Sequence, residues 1–311
     1  MSVPLIVRQL EIPQNKRLIV IADIHGELDL FKKLLDKVKF CNNDVLVILG
    51  DFYLKGSQPE ETFRYIMELD KQPNVHVLRG NCEWGRADFY TDEDWEWVCN
   101  LAIVLESEDF IFVHAGLEDK PLNEQDVIKC LTIPAFTETY KGKPFDKWVI
   151  VGHWPINNLC HQIPCCNPII NKEKHIIHID GGYPIAPFGQ LNAFIVKDGE
   201  FSWEFVENFE LMTVENDHKG KEGTLSITWN DRFVDILEYS EEFSKVRHKS
   251  GKILEVPTDK ILQDDEGRNW VNGIGTDHYL SLKRGNVVSV VATYSNKIFA
   301  KFNGTAGWLN L

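Results

Sequence analysis

No apolar run in the 311-residue chain approaches the ~18 residues of a membrane-spanning helix. The opening MSVPLIVRQLEIPQNKR lacks the charged-then-apolar pattern of a secretion signal. Positive charge is in deficit. The 33 Lys and Arg against 47 Asp and Glu leave a net charge of −14, which argues against non-specific binding to nucleic acid or to an anionic membrane surface. Arginine is missing altogether between Arg86 and Arg232. The 7 cysteines are odd in number and follow no regular spacing, so a disulfide scaffold is not expected; a reduced, cytoplasmic protein is. The cluster Cys160, His161, Cys165, Cys166 lacks zinc-finger spacing. What is present is an ordinary globular composition, 43% hydrophobic and 26% charged. Its length suggests about two domains, with core enough to fold without a staple.

The first part alternates buried-strand and helix signals. LIVIADI (18–24), DVLVILG (44–50) and VHVLRGN (75–81) are continuous apolar runs, as for strands covered on both faces. Between them ELDLFKKLLDKV and PEETFRYIMELD carry apolar residues at helical spacing, the second with Pro59 in its first turn. This order predicts parallel strands with crossover helices, an α/β fold. LAIVLES, DFIFVHAG, KWVIVGH, HIIHIDGG and LNAFIVKDG predict five further strands, and 118–147 is expected to be partly helical. The polar stretch 214–224 reads as a linker between a domain at 1–213 and a β-rich region at 225–311. Within that region FVDILEYS and HKSGKILEVP (233–257) echo VVSVVATYS and FNGTAGWLN (287–310), a faint repeat of about 54 residues.

The informative feature is where the polar residues fall. Asp23 and His25 follow the first strand, Asp51 the second, Asn81 the third, His114 follows DFIFV, and His153 follows KWVIV. Strand tips of an α/β sheet converge on one rim, the usual place for a ligand. Carboxylate, imidazole and amide oxygen together suit hard-to-borderline divalent metals. Gly26, Gly50, Gly80, Gly116 and Gly152 flank them, where the backbone must turn or approach closely.

These stretches, DIHG (23–26), GDFYLKG (50–56), RGNCE (79–83), HAG (114–116) and GHW (152–154), resemble in order the motifs of the calcineurin-like metallophosphoesterases, particularly the bacterial and phage phosphoprotein phosphatase and diadenosine-tetraphosphatase-like branch. The resemblance covers about residues 17–200. It implies a four-layer αββα sandwich with a small all-β C-terminal region. It also implies two divalent metal ions, manganese favoured over iron or zinc. One would be held by Asp23, His25 and Asp51, the other by Asp51, Asn81, His114 and His153. It implies hydrolysis of a phosphoester by a metal-activated hydroxide, with Arg79 and Lys55 gripping the phosphate.

Two motif positions depart from the family together. Leu54 stands where the family has an Asp, and Cys82 where it has the His that serves as general acid. Cys82 is read as a small filler, or as a weak acid in that histidine's place. Lys55 replaces a family Arg and offers a point charge without the fork; Arg86 is a candidate third cation. The aromatic, acidic segment 84–97 is expected either to stack a base or to pack; Asp180, His175 and His178 are expected to be structural. The segment 278–311 resembles an SH3-like barrel, and the 233–257 copy would be a second one, without the aromatic pairs that grip proline-rich ligands. The expected substrate is a phosphorylated small molecule, a nucleotide or a phosphoprotein, with a protein partner for the barrels, no membrane and no nucleic acid. The alternative is a catalytically weakened scaffold on a phosphatase fold, motivated by the lost Asp–His pair.

Overall fold

The computed structural model describes residues 4–311. Contacts divide it into two compact units. One holds the chain up to Ile156, Pro168–Ile185 and Gln190–Glu207; the other holds Asn157–Asn167, Ala186–Gly189 and Asn208–Leu311.

In chain order the first unit runs β1 (Val7–Gln9), β2 (Arg17–Ile21), α1 (Leu28–Val38), β3 (Asp44–Ile48), α2 (Pro59–Leu69), β4 (Val75–Val77), α3 (Asp92–Asn100), β5 (Val104–Glu106), β6 (Phe110–Val113), α4 (Val127–Thr132), α5 (Phe136–Thr139), β7 (Trp148–Val151), β8 (Ile169–Asn171), β9 (Ile176–His178), β10 (Leu191–Lys197) and β11 (Glu200–Val206). The strands form two sheets, β11-β10-β2-β3-β4 and β1-β5-β6-β7-β9-β8. Strands β2, β3 and β4 are parallel in the first sheet, and β6, β7 and β9 are parallel in the second.

Alternation along β2 explains the layers. Leu18 and Val20 point to one side, into a core shared with Val45, Val47, Phe112, Ile150 and Ile177 from both sheets. Ile19 and Ile21 point to the other, against Phe31 and Leu34 of α1 and Phe63 and Ile66 of α2. Val149, Val151 and Ile176 turn outward from the second sheet onto Cys130 and Leu131 of α4 and Phe136 of α5. Both faces of each sheet are therefore covered, which is why these strands read as unbroken apolar runs, and the layers are α, β, β, α. Helix α3 starts at a capping box, Thr91 with Asp94. The aromatics of 84–97 mostly pack: Phe89, Tyr90 and Trp97 join Phe52, Tyr53 and Phe63 in one cluster, while Trp84 stays exposed.

The second unit continues with β12 (Glu210–Thr213), β13 (Val234–Glu238), β14 (Phe243–His248), β15 (Ile253–Pro257), β16 (Ile261–Gln263), β17 (Asn269–Val271), β18 (Val287–Thr293), β19 (Lys297–Phe302) and β20 (Thr305–Asn310). The two echoing segments each fold as a three-stranded antiparallel meander, β13-β14-β15 and β18-β19-β20, the latter extended by β12. Residues 214–224 are drawn into this unit: Val214 bonds Asn286, and His218 and Lys221 bridge to Leu282 and Tyr279. Residues 157–167 belong here too, through the Ala306 N–H to Pro164 and the Cys166 N–H to Gly304. No helix of the described residues is long and apolar enough to cross a membrane.

Candidate metal centre

The tips of the parallel strands carry the polar residues expected there, and hydrogen bonds stitch the tips of the two sheets together. The His153 N–H after β7 donates to Asp23 Oδ2 after β2 at 2.8 Å. His114 Nδ1 after β6 meets the Leu49 carbonyl after β3 at 2.8 Å. Glycines make the approach possible. A Cβ on Gly152 would lie 2.2 Å from Asp23 Oδ2, and one on Gly80 2.3 Å from Asp51 Oδ1. Four of the six donors, Asp23, His25, Asp51 and His153, hold left-handed backbone, with φ between 50° and 68°. That conformation is costly for residues with a Cβ and is concentrated at functional sites.

The six donors converge and, apart from His153 and Asn81, are fully buried. His25 Nε2 is 3.8 Å from Asp23 Oδ1 and 3.9 Å from Asp51 Oδ2. His114 Nε2 is 3.4 Å from Asp51 Oδ1 and 3.0 Å from Asn81 Oδ1; the His114 and His153 rings lie 5.1 Å apart. Asp51, His114 and His153 present donor atoms within 4.8 Å of one another, as do His25, Asp51 and Cys82. The Cys160–Cys166 cluster shows no such convergence among the described residues.

Burial, then the charges of Asp180 and Asp51, push Asp23 well above the usual carboxylate range. Burial acts to raise Asp51 too, but His114, His25 and two hydrogen bonds from Cys82 outweigh it and hold Asp51 at about 2. Burial lowers His25 to about 4 and His153 to about 3, and lowers His114. Three neutral imidazoles therefore surround an ionised aspartate at neutral pH.

This donor set fits divalent cations. With His114 Nδ1–H spent on the Leu49 carbonyl, the Nε2 lone pair aims at the Asp51 and Asn81 oxygens. Asp23 Oδ1 and His25 Nδ1 are buried without a partner. The oxygens of Asp23, Asp51 and Asn81 and the Nε2 lone pair of His114 crowd one another, and Lys55 is the one ammonium among the described residues that the ion pairs place beside them, so the cluster favours further positive charge.

The second tier shows where the other expected residues lie, and one residue that sequence reasoning passed over. Arg79 was expected on the phosphate. Instead it is fully buried, its Nε donating to the Glu83 carbonyl at 2.9 Å and its Nη2 to the Trp84 carbonyl at 3.2 Å, with Trp95 beneath it. It braces the 79–84 loop. Arg86 is likewise engaged, with Tyr90 and Asp92. Lys55 does face the centre, its Nζ 3.3 Å from His25 Nε2 and 4.0 Å from Asp51 Oδ2. Cys82 donates twice to Asp51, from its N–H to Oδ1 at 2.7 Å and from its thiol to Oδ2 at 3.0 Å; burial, then the charge of Asp51, push the thiol up. Leu54 is 42% exposed and pairs with nothing polar. Glu83 was passed over, although RGNCE contained it. Its carboxylate accepts the N–H groups of Asp51, Phe52 and Gly80. His175 and His178 bond backbone carbonyls, as expected of sheet residues.

The family model for calcineurin-like phosphoesterases matches residues 16–181, more than half of the chain. No curated protein matches. Among solved structures, one described as a "putative diadenosine tetraphosphatase" aligns at a TM-score of 0.51 and 20% identity, covering 65% of this chain and 99% of the other; that likeness shows the fold. A protein serine/threonine phosphatase from Saccharomyces cerevisiae aligns at 0.48 and 15% identity, covering 67% and 85%. Members of the matched family work through a dinuclear divalent-metal centre, and the donors just described are fit for one. The chain belongs to the calcineurin-like phosphoesterases and is a metal-dependent phosphoric ester hydrolase.

Proposed function

We propose that Asp23, His25 and Asp51 hold one divalent cation and Asp51, Asn81, His114 and His153 a second, with Asp51 shared. The observation that carries this is the packing of His25 Nε2 and His114 Nε2 against the Asp51 carboxylate, with Asp23 beside His25 and with Asn81 and His153 beside His114. Two such cations, when bound, would supply the positive charge that orients a phosphate and lowers the pKa of a water, so that hydroxide is available at neutral pH. The chain's own residues then divide the remaining work. Lys55 supplies the ammonium that meets the substrate phosphate, and Arg79 and Glu83 hold the 79–84 loop that carries Asn81. The thiol of Cys82 is turned onto Asp51, where it fixes the shared carboxylate instead of protonating a leaving group. With Leu54 at the partner position, no side chain replaces the family's acid pair. The reading that follows is a substrate with a leaving group that departs without a proton: an aryl phosphoester, or a phosphoanhydride such as that of a nucleoside polyphosphate. Manganese is the favoured ion.

The first compact unit, which ends at Glu207 and leaves out 157–167 and 186–189, forms the catalytic part in this reading, in place of the expected 1–213. Residues 225–311 form an SH3-like recognition region for a protein partner, a proposal supported by the two echoing meanders. A cytoplasmic setting is part of this reading, resting on the odd number and irregular spacing of the seven cysteines.

Elemental analysis of the purified chain, followed by assay with manganese on an aryl phosphodiester and an aryl phosphomonoester, tests the proposal. Near two ions per chain with turnover of either ester is expected; a chain that binds no ion and turns over neither is a scaffold. Restoring the acid pair gives a sharper result. The double variant Cys82→His with Leu54→Asp is expected to gain ~10²-fold or more on alkyl monoesters, the low end of what general acid catalysis contributes. Aryl esters should change little. An unchanged alkyl rate means that another acid already serves the site.

A further inference from the structure

Asp180 follows β9, the strand beside β7 in the second sheet. Its place is fixed on every side. The Ile179 N–H donates to Val151 and the Ile156 N–H to the Asp180 carbonyl. Asn192 Nδ2 donates to the Ile179 carbonyl at 3.0 Å. The tip of β9 therefore stands next to Gly152 and His153, whose backbone closes on Asp23. Asp180 is 2% exposed. Its Oδ1 accepts the Gly182 N–H at 2.7 Å, which shapes the turn. Its Oδ2 is buried with no partner, and so is Oδ1 of Asp23. Among the described residues no lysine or arginine lies within 4.0 Å of either carboxylate, although the charge of Lys55 acts on both from further away. The charge of Asp180 is, after burial, the largest influence raising Asp23.

A turn needs one oxygen, and Asn or Ser supplies it as well as Asp does. A second carboxylate oxygen, buried near another carboxylate that also has one oxygen without a partner, is strongly unfavourable unless a cation lies among them. We propose that Asp180 is a further acidic residue of the metal centre, which faces the cation held by Asp23, His25 and Asp51 and tightens that half of the site. This rests on the two-cation reading above.

The test is the Asp180→Asn variant of the full chain, which keeps Oδ1 and the turn. Manganese binding is followed by the electron paramagnetic resonance signal of the unbound ion, and melting is measured with the ion removed by chelator and restored. The weaker of the two dissociation constants is expected to rise tenfold or more. The stripped variant is expected to melt at or above stripped wild type, because a buried charge has gone, and manganese is expected to raise its melting temperature by less than it raises that of wild type. Two dissociation constants within twofold of wild type overturn the proposal, as does a melting temperature lowered equally with and without manganese, which marks a purely structural aspartate. Should the Asn variant fail to fold, Asp180→Ser keeps the turn's acceptor and is read in the same way. Wild type that binds fewer than two ions defeats the two-cation reading itself, an outcome distinct from a wild type that binds two and a variant that matches it.

Discussion

Asp51→Asn is expected to abolish turnover while leaving the fold intact. The loss should be at least ~10²–10³-fold, the scale for removing a preorganised electrostatic element from an active site. Asn preserves the shape of the side chain and one acceptor for the Cys82 N–H, now at 2.7 Å from Oδ1. It removes the charge that His25 and His114 both approach, at 3.9 and 3.4 Å. It also turns an amide N–H₂ toward either the Cys82 thiol or His114. In the proposed centre both cations would lose their shared ligand, so metal content should fall from near two ions per chain to one or none, and the rise in melting temperature on adding manganese should vanish. Circular dichroism of the stripped variant should match stripped wild type, because Val47 and Ile48 of β3 and the surrounding core do not depend on the carboxylate. Elemental analysis beside a rate measurement decides the matter. A variant that keeps both ions, or that turns over at the wild-type rate, removes Asp51 from the centre and the proposed chemistry with it.

The strand tips were legible because two periodicities coincide in the sequence. Strands covered on both faces leave unbroken apolar runs, so LIVIADI, DVLVILG and KWVIVGH mark their own ends. A polar residue just past such an end has few places to go except the rim. That logic reaches Asp23, Asp51, Asn81, His114 and His153, and it reaches His25 through the tight turn at Gly26. It does not reach the tier behind them. Nothing local distinguishes an arginine that meets a phosphate from one that folds back on carbonyls four and five residues later, as Arg79 does on Glu83 and Trp84. Glu83 is invisible for the same reason: its three donors lie in two loops about thirty residues apart. Asp and His are among the few non-glycine residues that visit the left-handed backbone found at Asp23, Asp51 and His153, but nothing in the local sequence marks these particular ones as adopting it. The short segments 157–167 and 186–189 belong to the second compact unit through pairings with residues more than a hundred positions away, such as Cys165 with Thr305. No periodicity records that. The echo between 233–257 and 287–310 was legible, because each copy repeats strand and turn signals at the same offsets, and each forms its own meander.

Glu83→Ala tests whether that hidden tier carries the loop. The Glu83 carboxylate is wholly buried. Its Oε2 accepts from Asp51 and Gly80 at 2.8 Å each, and its Oε1 accepts from Phe52 at 3.1 Å. The Asp51 and Phe52 donors belong to the turn after β3, the Gly80 donor to the turn after β4. One side chain therefore locks together the two turns that present Asp51 and Asn81. Burial, then the charge of Asp51, raise Glu83 above the usual carboxylate range, against the pull of the three N–H groups; the site tolerates a buried carboxyl because three donors would otherwise be orphaned. Truncation to Ala leaves all three without an acceptor. At roughly 1–3 kcal/mol for each buried unsatisfied group, less what an entering water recovers, the loss should come to about 3–5 kcal/mol. Urea unfolding of the first compact unit should shift its midpoint down by about 1–2 M. Glu83→Gln keeps one carbonyl oxygen but sets an amide N–H₂ against a backbone donor, so it should fall between wild type and Ala; a variant that merely lost packing would leave Gln at wild type. Manganese affinity should fall in both variants in the same order, because Asp51 and Asn81 are then no longer held at one spacing. An Ala variant with the wild-type midpoint and wild-type affinity would show that the two turns hold their places without Glu83, and that the rim is rigid through the glycine contacts at Gly50 and Gly80 alone.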